Sequence, residues 1–490
     1  MQRRDFLQTS SAVATASAAA PVLAQGASKP NLLIIHCDEL NFRTLGCYRE
    51  TLAPEQAFMW GTESVVETPH IDSIAKEGVL CTKFYAATPV CSPSRSSFIS
   101  GRYPQNTPVT TNSIPLDDEI VSFAETLGNA GYATGYAGKW HLDGTGKPQW
   151  APERKFGFED NRYMFNRGHW KQFEETEDGP RVKARDAKGN PTYSVKGADR
   201  ESFATDFLTD RTIEFIDDNQ AESFCYMLSI PDPHGPDTVR APYDAMFDDD
   251  VVEKPRTYDK EEEGVPSWAA PQKCNYNMAN YRGMMKCIDD CVGRLLDALR
   301  ERNLLDQTIV VFTADHGDMR GEHHRQNKGI PLEASAKVPF VARFPEKIAG
   351  GTRVDEVINT VDFLPTMLAM MGVATAGKEE GRDASPLLTS AAKGEVPWKN
   401  VTFMRGTGRP GSSEGWISAV TPRHKLILSS KDKPWLLDLE TDPDELINYI
   451  DDQPEVAKAL AQDLLGYADK NGDIYLDHPR TRQDLDAILA

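Results

Sequence analysis

The sequence predicts an α/β sandwich: a large mixed, mostly parallel sheet flanked by helices, followed by a smaller C-terminal α+β unit with an antiparallel sheet. Three observations carry this expectation. Short, almost wholly apolar runs alternate with stretches of helical periodicity, as in strands buried on both faces and joined by helices. Polar residues able to bind a metal stand directly after three of those runs. Beyond residue 372 the chain turns rich in Gly, Ala and Ser and then resumes with shorter strand patterns, so one unit is expected over 30–375 and a second over 380–490.

In chain order, the first element is an address. Arg3 and Arg4 precede Asp5-Phe6-Leu7, an alanine-rich run follows, and Val22-Leu23-Ala24 offers small residues for cleavage. This is the pattern of a twin-arginine signal peptide over 1–24. The twin-arginine translocase is then a partner, and the mature protein is expected to begin near Gln25 and to work in the periplasm or beyond. Buried strands are expected at NLLIIHC (31–37), FCYMLSI (224–230), TIVVFTA (308–314) and VPFVARF (338–344). The stretch YRGMMKCIDDCVGRLLDALRERN (281–303) repeats apolar residues three and four apart, which makes a helix with one buried face. In the second unit, strands are expected near 416–420 and 425–429 and a helix near 454–468. No segment approaches the roughly 20 apolar residues of a membrane helix.

Of the 490 residues, 40% are hydrophobic and 26% charged, ordinary for a folded domain and against disorder. The net charge of −20 argues against a nucleic-acid partner, because neutralising phosphates needs a basic face. The eight cysteines are too dispersed for a disulfide scaffold, so few bridges are expected, and Cys287 and Cys291, one helical turn apart, read as packing residues.

Ligands of open α/β sheets bind beyond the carboxyl ends of strands. HCDEL places Asp38 and Glu39 there, SIPDPHGP places His234, and TADHGD places Asp315 and His316. An oxygen-rich set of this kind suits one hard divalent cation, Ca2+ or Mg2+, and the imidazole also admits Mn2+.

The stretch PVCSPSRSSFISGRYP (89–104) contains CSPSR, which resembles the CxPSR signature of type I sulfatases in the alkaline phosphatase-like superfamily. SGRYP, GKWHL (138–142), PHGP (233–236), TADHGDMRGEH (313–323), Lys328 and LLDLETDPDELIN (436–448) follow in that family's order. The resemblance implies that Cys91 is converted to formylglycine by a formylglycine-generating or anaerobic sulfatase-maturing enzyme before export. It further implies that Asp38, Glu39, Asp315 and His316 hold the cation, Ca2+ first, together with an oxygen made from Cys91. Asp315 then also accepts the proton of the attacking hydroxyl. Arg95 steadies the nucleophile, Lys139 and Lys328 neutralise sulfate, His234 protonates the leaving alcohol, and His141 takes the proton that drives release. Glu39 stands where many relatives have Asp, and His316 where many have Asn. The second substitution occurs also in relatives that cleave phosphonate or phosphate esters.

The leaving alcohol is the least determined part. Residues 154–171 gather Arg154, Arg162, Arg167, His169 and Lys171 around Trp170 and several Phe and Tyr. Together with Arg320, His323, His324 and Arg325 they are expected to form a basic funnel for a polyanionic glycan, with Arg167, His169, Trp170, Arg320 and His323 touching it; the bland alternative is a solvated loop. Export favours a sulfated polysaccharide, such as a marine galactan, over choline sulfate. The rival readings are a phosphonate monoester or phosphodiester hydrolase, and a glycan-binding protein in which Cys91 stays a thiol.

Overall fold

The computed structural model describes residues 29–259, 264–389, 396–412 and 415–490; the expected signal peptide lies outside them. The main sheet has eight strands: β1 (Asn31–Asp38), β2 (Val79–Cys81), β3 (Ala133–Lys139), β4 (Asp160–Phe165), β5 (Phe224–Pro233), β6 (Thr308–Ala314), β7 (Phe340–Arg343) and β8 (Thr352–Val354). They lie in the order β8-β2-β7-β6-β1-β5-β3-β4. From β6 to β4 all neighbours are parallel, while β7 runs antiparallel to both β6 and β2. The expected mixed, mostly parallel sheet is therefore present.

β1 is buried along its whole length because it is a central strand, paired with β5 on one side and β6 on the other. The run VPFVARF is not one strand. Pro339 divides it: Lys337–Val338 joins a separate three-stranded sheet, and only Phe340–Arg343 continues as β7. Proline has no N–H for a ladder, and the Pro339 carbonyl accepts instead from Thr313 Oγ1 at 2.7 Å.

The first unit's principal helices are α1 (Pro69–Glu77), α2 (Cys91–Ser100), α3 (Ala204–Asn219), α4 (Met278–Glu301) and α5 (Phe363–Met371). α4 buries Tyr281, Met284, Ile288, Cys291, Leu295 and Leu299, a stripe of three- and four-residue steps, against α1, α3 and β5. Its start is capped by Asn277, whose side chain accepts from Asn280 N at 2.7 Å. Cys287 and Cys291 lie within this packing, and all eight cysteines are free. α2 packs with α5, and its Phe98 meets His36 of β1. Among the described residues no helix is long and apolar enough to cross a membrane.

The C-terminal unit is an antiparallel meander of β9 (Thr402–Arg405), β10 (Trp416–Val420), β11 (His424–Ser429) and β12 (Trp435–Asp438), followed by α6 (Pro454–Asn471) and α7 (Pro479–Leu489). Strand alternation gives this sheet two apolar faces. Ile417, Ala419, Leu426 and Leu428 pack with Leu460 and Leu464 of α6. Trp416, Val420, Ile427 and Leu437 pack with Ile330 and Leu332 of the first unit.

Candidate active site

Four adjacent parallel strands, β6, β1, β5 and β3, end at one sheet edge, and their carboxyl ends deliver Asp315 and His316, Asp38 and Glu39, His234, and Lys139 respectively. The edge is sewn together across strands. Asp315 N donates to Cys37 O at 3.1 Å and Leu40 N to His316 O at 3.0 Å, while Glu39 N donates to Asp315 Oδ1 at 3.1 Å. Glu39 (φ 64°) and His141 (φ 62°) hold left-handed backbone, a conformation costing non-glycine residues about 1–3 kcal/mol and concentrated at functional sites.

α2 points its first residue, Cys91, at this edge. Every residue of the helix is buried, and four of its serines, Ser92, Ser94, Ser96 and Ser100, donate to carbonyls. Ser92 Oγ reaches His141 O at 2.7 Å, Ser94 Oγ reaches Asp315 O at 2.5 Å, and Ser96 Oγ reaches Pro93 O at 2.8 Å. Asn112 Oδ1 accepts from Ser92 N at 3.0 Å and satisfies one of the helix's open donors.

Cys91 Sγ lies 3.2 Å from His316 Nε2, 3.8 Å from Asp38 Oδ1 and 3.7 Å from Lys139 Nζ. Burial pushes the Cys91 thiol up, and the ammonium groups of Lys139 and Lys328 outweigh it, leaving the thiol well below its ordinary range. His316 is turned toward it because Nδ1 is held by Gly317 O at 2.9 Å. Arg95, one turn along α2, grips Asp315 Oδ2 through Nε at 2.9 Å and Nη2 at 2.9 Å, and its Nη1 donates to Lys139 O and Ser229 Oγ. Lys139 Nζ is bonded to Asp38 Oδ2 and lies 2.9 Å from His169 Nε2.

Of the five residues expected to bind a metal, Asp38, Cys91, Asp315 and His316 bring ligand atoms within 4.8 Å of one another. Glu39 stands beside them, its Oε2 engaging His234 Nε2 at 2.8 Å and Lys328 Nζ at 3.0 Å. Its Oε1 is buried with no hydrogen-bond partner among the described residues, an orphan acceptor that a cation would satisfy. Two carboxylates, an imidazole and this free oxygen fit a hard or borderline divalent ion.

His234 is oriented through Nδ1, 2.8 Å from Gly235 O, and its ring lies flat on His169 at 3.4 Å. His141 is buried, neither ring nitrogen has a hydrogen-bond partner among the described residues, and burial, then Lys139, pushes it down to about 4. A cavity of about 450 Å³ is lined by Gly235 and Asn327, the chain neighbours of His234 and Lys328, and by Asp237, Asn275 and Tyr276 among others.

The expected basic funnel is not one surface, because internal partners have taken most of its members. Arg320 is 3% exposed, ion-paired with Asp237 and Asp318 over the Tyr281 ring. Trp170 is 4% exposed, with its indole N–H on Arg167 O. Lys171 pairs with Asp232, Arg154 with Asp118, and Arg325 with Ala270 O. His323 is half-buried in a different cavity, Arg167 is half-buried, and only His169 joins the catalytic cluster. Sequence reading also passed over Ser92, Ser94, Asn112 and Ser229, which hold the site from behind. Ser229, near the end of a buried strand leading into PDPH, carried a usable signal; Asn112 carried none.

Residues 30–373 match the sulfatase family profile, and residues 321–470 match that of the N-sulphoglucosamine sulphohydrolase C-terminal region. The chain belongs to the sulfatase family. As such it is a sulfuric ester hydrolase. Its relatives include an ulvan-active sulfatase from Formosa agariphila, 29% identical over 370 residues, covering 74% of this chain and 65% of that one. An N-acetylglucosamine-6-O-sulfatase from Bacteroides thetaiotaomicron is 23% identical, covering 91% of this chain and 88% of that one. Solved structures share the alkaline phosphatase-like fold of this sulfatase. One is an enzyme complexed with its substrate D-glucosamine-2-N,6-O-disulfate (TM-score 0.72, 20% identity, covering 93% of this chain and 100% of that one). Another is a phosphonate monoester hydrolase from Silicibacter pomeroyi (TM-score 0.70, 22% identity, covering 91% and 97%).

Proposed function

We propose that this sulfatase is exported through its twin-arginine leader, carries formylglycine in place of the Cys91 thiol, and hydrolyses sulfate esters of a sulfated carbohydrate. The observation that carries the reading is Cys91 at the start of a fully buried helix, its sulfur 3.2 Å from His316 and 3.7 Å from Lys139. Relatives named an ulvan-active sulfatase and an N-acetylglucosamine-6-O-sulfatase, and a cavity lined by Gly235 and Asn327, the chain neighbours of His234 and Lys328, support a polyhydroxylated leaving group.

Asp38, Glu39, Asp315 and His316 would hold one divalent cation, Ca2+ before Mg2+ or Mn2+, which supplies positive charge to a sulfate oxygen and favours an ionised nucleophile. Residue 91, once converted to formylglycine and hydrated, would offer one hydroxyl as nucleophile toward sulfur and a second whose deprotonation would free the sulfate. The chain's own residues do the positioning. Arg95 fixes Asp315, so that its carboxylate stays directed at the nucleophile as proton acceptor. Lys139 and Lys328 present ammonium groups to sulfate oxygens as they gain charge. His234, whose Nε2 lies 2.8 Å from Glu39 Oε2 and 2.9 Å from Lys328 Nζ, is the proton donor to the departing alcohol. His141, neutral and with free nitrogens, accepts the proton for release.

Mass spectrometry of the peptide spanning 89–104 from active enzyme is expected to show an aldehyde or its hydrate at residue 91. Intact thiol in fully active protein refutes the nucleophile. Release of inorganic sulfate from a panel of defined sulfated oligosaccharides tests the substrate class, and sequencing the exported protein from near Gln25 tests the leader. His316, an imidazole at the closed end of the ligand cluster, favours one second reading, phosphonate or phosphodiester hydrolysis. Faster turnover of a phenyl phosphonate ester than of 4-nitrophenyl sulfate would select it.

A further inference from the structure

A second cavity, of about 380 Å³, lies between the two units and is lined by Tyr258, Trp268, His323, His324, Leu332 and Trp435 among others. Trp268 and Trp435 meet edge to face at 6.0 Å, and Tyr258 stacks on His324 at 4.2 Å. Trp268 is 4% exposed, yet its indole N–H has no acceptor among the described residues. An orphaned buried donor costs about 1–3 kcal/mol, so a bound hydroxyl that accepted from it would recover that loss. His323 (φ 53°) and His324 (φ 52°) both hold left-handed backbone, a strained pair that keeps two imidazoles at the cavity.

The buried charges near this cavity are paired, and the exposed Lys254 ammonium lies over the Tyr258 ring at 4.5 Å. Glu445 accepts from Lys425 Nζ and Glu333 N, Glu322 pairs with Arg43, and the Arg325 guanidinium is on a backbone carbonyl. Burial pushes His323 down to about 4, so it is uncharged at neutral pH. Aromatic faces, the neutral His323 imidazole and one free donor suit a ring with an apolar C–H face and hydroxyl edges better than a sulfate.

The cavity is also placed to reach the same ligand as the active site. His324 precedes Lys328 by four residues, at most about 14 Å of chain. Residues 271–275 run beside this segment, with Gln272 N donating to His324 O at 2.9 Å and Asn275 N to Gln326 Oε1 at 2.5 Å. Those two paired segments wall both the aromatic cavity and the cavity lined by Gly235 and Asn327.

We infer that the Trp268–Trp435 cavity is a distal carbohydrate subsite that takes an unsulfated pyranose of the same oligosaccharide whose sulfate ester lies at Cys91. The inference rests on the carbohydrate reading of the active site and adds to it a requirement for chain length.

Calorimetric titration of the full protein with desulfated galactan and desulfated ulvan tetrasaccharides tests it, beside sulfate release from their sulfated parents. Binding is expected in the native protein, weakened about tenfold in Trp268→Phe, which keeps the ring and removes the donor, and further in Trp268→Ala. His324→Ala, a half-exposed position, serves if Trp268→Ala does not fold. Turnover of 4-nitrophenyl sulfate is expected to be unchanged in all folded variants. Sulfate release from parents without neutral-sugar binding, or with equal binding in every folded variant, overturns the subsite and leaves the active-site reading standing. Trp268-dependent binding without release from any sulfated oligosaccharide does the reverse. Absence of both overturns both.

Discussion

Two buried clusters of lysines and carboxylates in this molecule are built alike and finished differently. At the junction of the two units, Lys425 Nζ reaches Glu333 Oε1 at 2.7 Å, Glu445 Oε1 at 2.8 Å and Pro331 O at 2.9 Å. Lys337 pairs with Glu333 at 2.9 Å, Tyr85 OH donates to Glu333 Oε1 at 2.9 Å, and Glu445 Oε2 accepts from Glu333 N. Nothing in that network is left open. At the sheet edge, Lys139, Lys328 and Arg95 face Asp38, Glu39 and Asp315 just as closely, but among the described residues Glu39 Oε1 and both nitrogens of His141 have no hydrogen-bond partner. Buried charges are tolerated when fully matched; unmatched atoms in an equally buried cluster mark where something else must bind.

Removing the nucleophile breaks the comparison most sharply. Cys91→Ala is expected to lower 4-nitrophenyl sulfate turnover by at least about 10³-fold with little change in melting temperature, because one small buried side chain is exchanged for another. Cys91→Ser should lose turnover as well if formylglycine is the working group. At the junction the pattern inverts. Lys425→Met leaves Glu333 and Glu445 buried with too little positive charge, a loss of about 3–5 kcal/mol. It should appear as a lower melting temperature and urea midpoint with turnover per folded molecule intact. A variant that loses turnover while remaining as stable as the native protein would show that the junction is not merely structural.

The two clusters were also unequally legible in the sequence. Asp38, His234 and Asp315 stand out because each follows a strongly apolar strand, and parallel neighbours then put them on one edge. Glu333, Lys425 and Glu445 meet only through packing between the two units, which no local pattern encodes. β3 was missed for a related reason. ATGYAGK is poor in strand formers because a Cβ on Gly135 would come within 2.6 Å of the Tyr226 ring, and one on Gly138 within 1.9 Å of Ser229 O. Close approach to β5 demands glycine, and glycine erases the strand signal. The basic funnel failed in the opposite direction: counting Arg320 and Lys171 as available cations ignores Asp237, Asp318 and Asp232, which long-range packing places beside them. Pro339 hid its effect because only pairing reveals that the strands on its two sides belong to different sheets.

Within the junction, Lys337 offers a graded test. Burial pushes it down to about 8, against the attraction of Glu333, while the unfolded chain keeps the ordinary lysine value of about 10.4. Between these values the unfolded state binds more protons, so this group's contribution to stability rises with pH through that window and is lost as pH falls through 8. Unfolding midpoints of the native protein and Lys337→Met, taken from pH 7 to 10, should converge or diverge by about 1–3 kcal/mol, with the native protein gaining relative to the variant as pH rises. A constant offset would mean that Lys337 does not titrate there.

The smallest expected effect lies behind the nucleophile and asks how far positioning alone matters. Ser92 Oγ donates to His141 O at 2.7 Å, tying the start of α2 to a loop residue held in left-handed backbone, while Ser92 N stays with Asn112. Ser92→Ala removes one hydrogen bond and buries no new polar atom except that carbonyl, a loss of about 1 kcal/mol. If the bond serves only packing, the cost appears in the melting temperature and turnover is unchanged. If it holds His141 in register with residue 91, kcat for 4-nitrophenyl sulfate falls several-fold at unchanged KM, because the bond acts on proton removal during release and not on substrate binding. Ser92→Thr, which keeps the donor, is then expected to recover kcat, a rescue that a purely structural role for the hydroxyl would not produce.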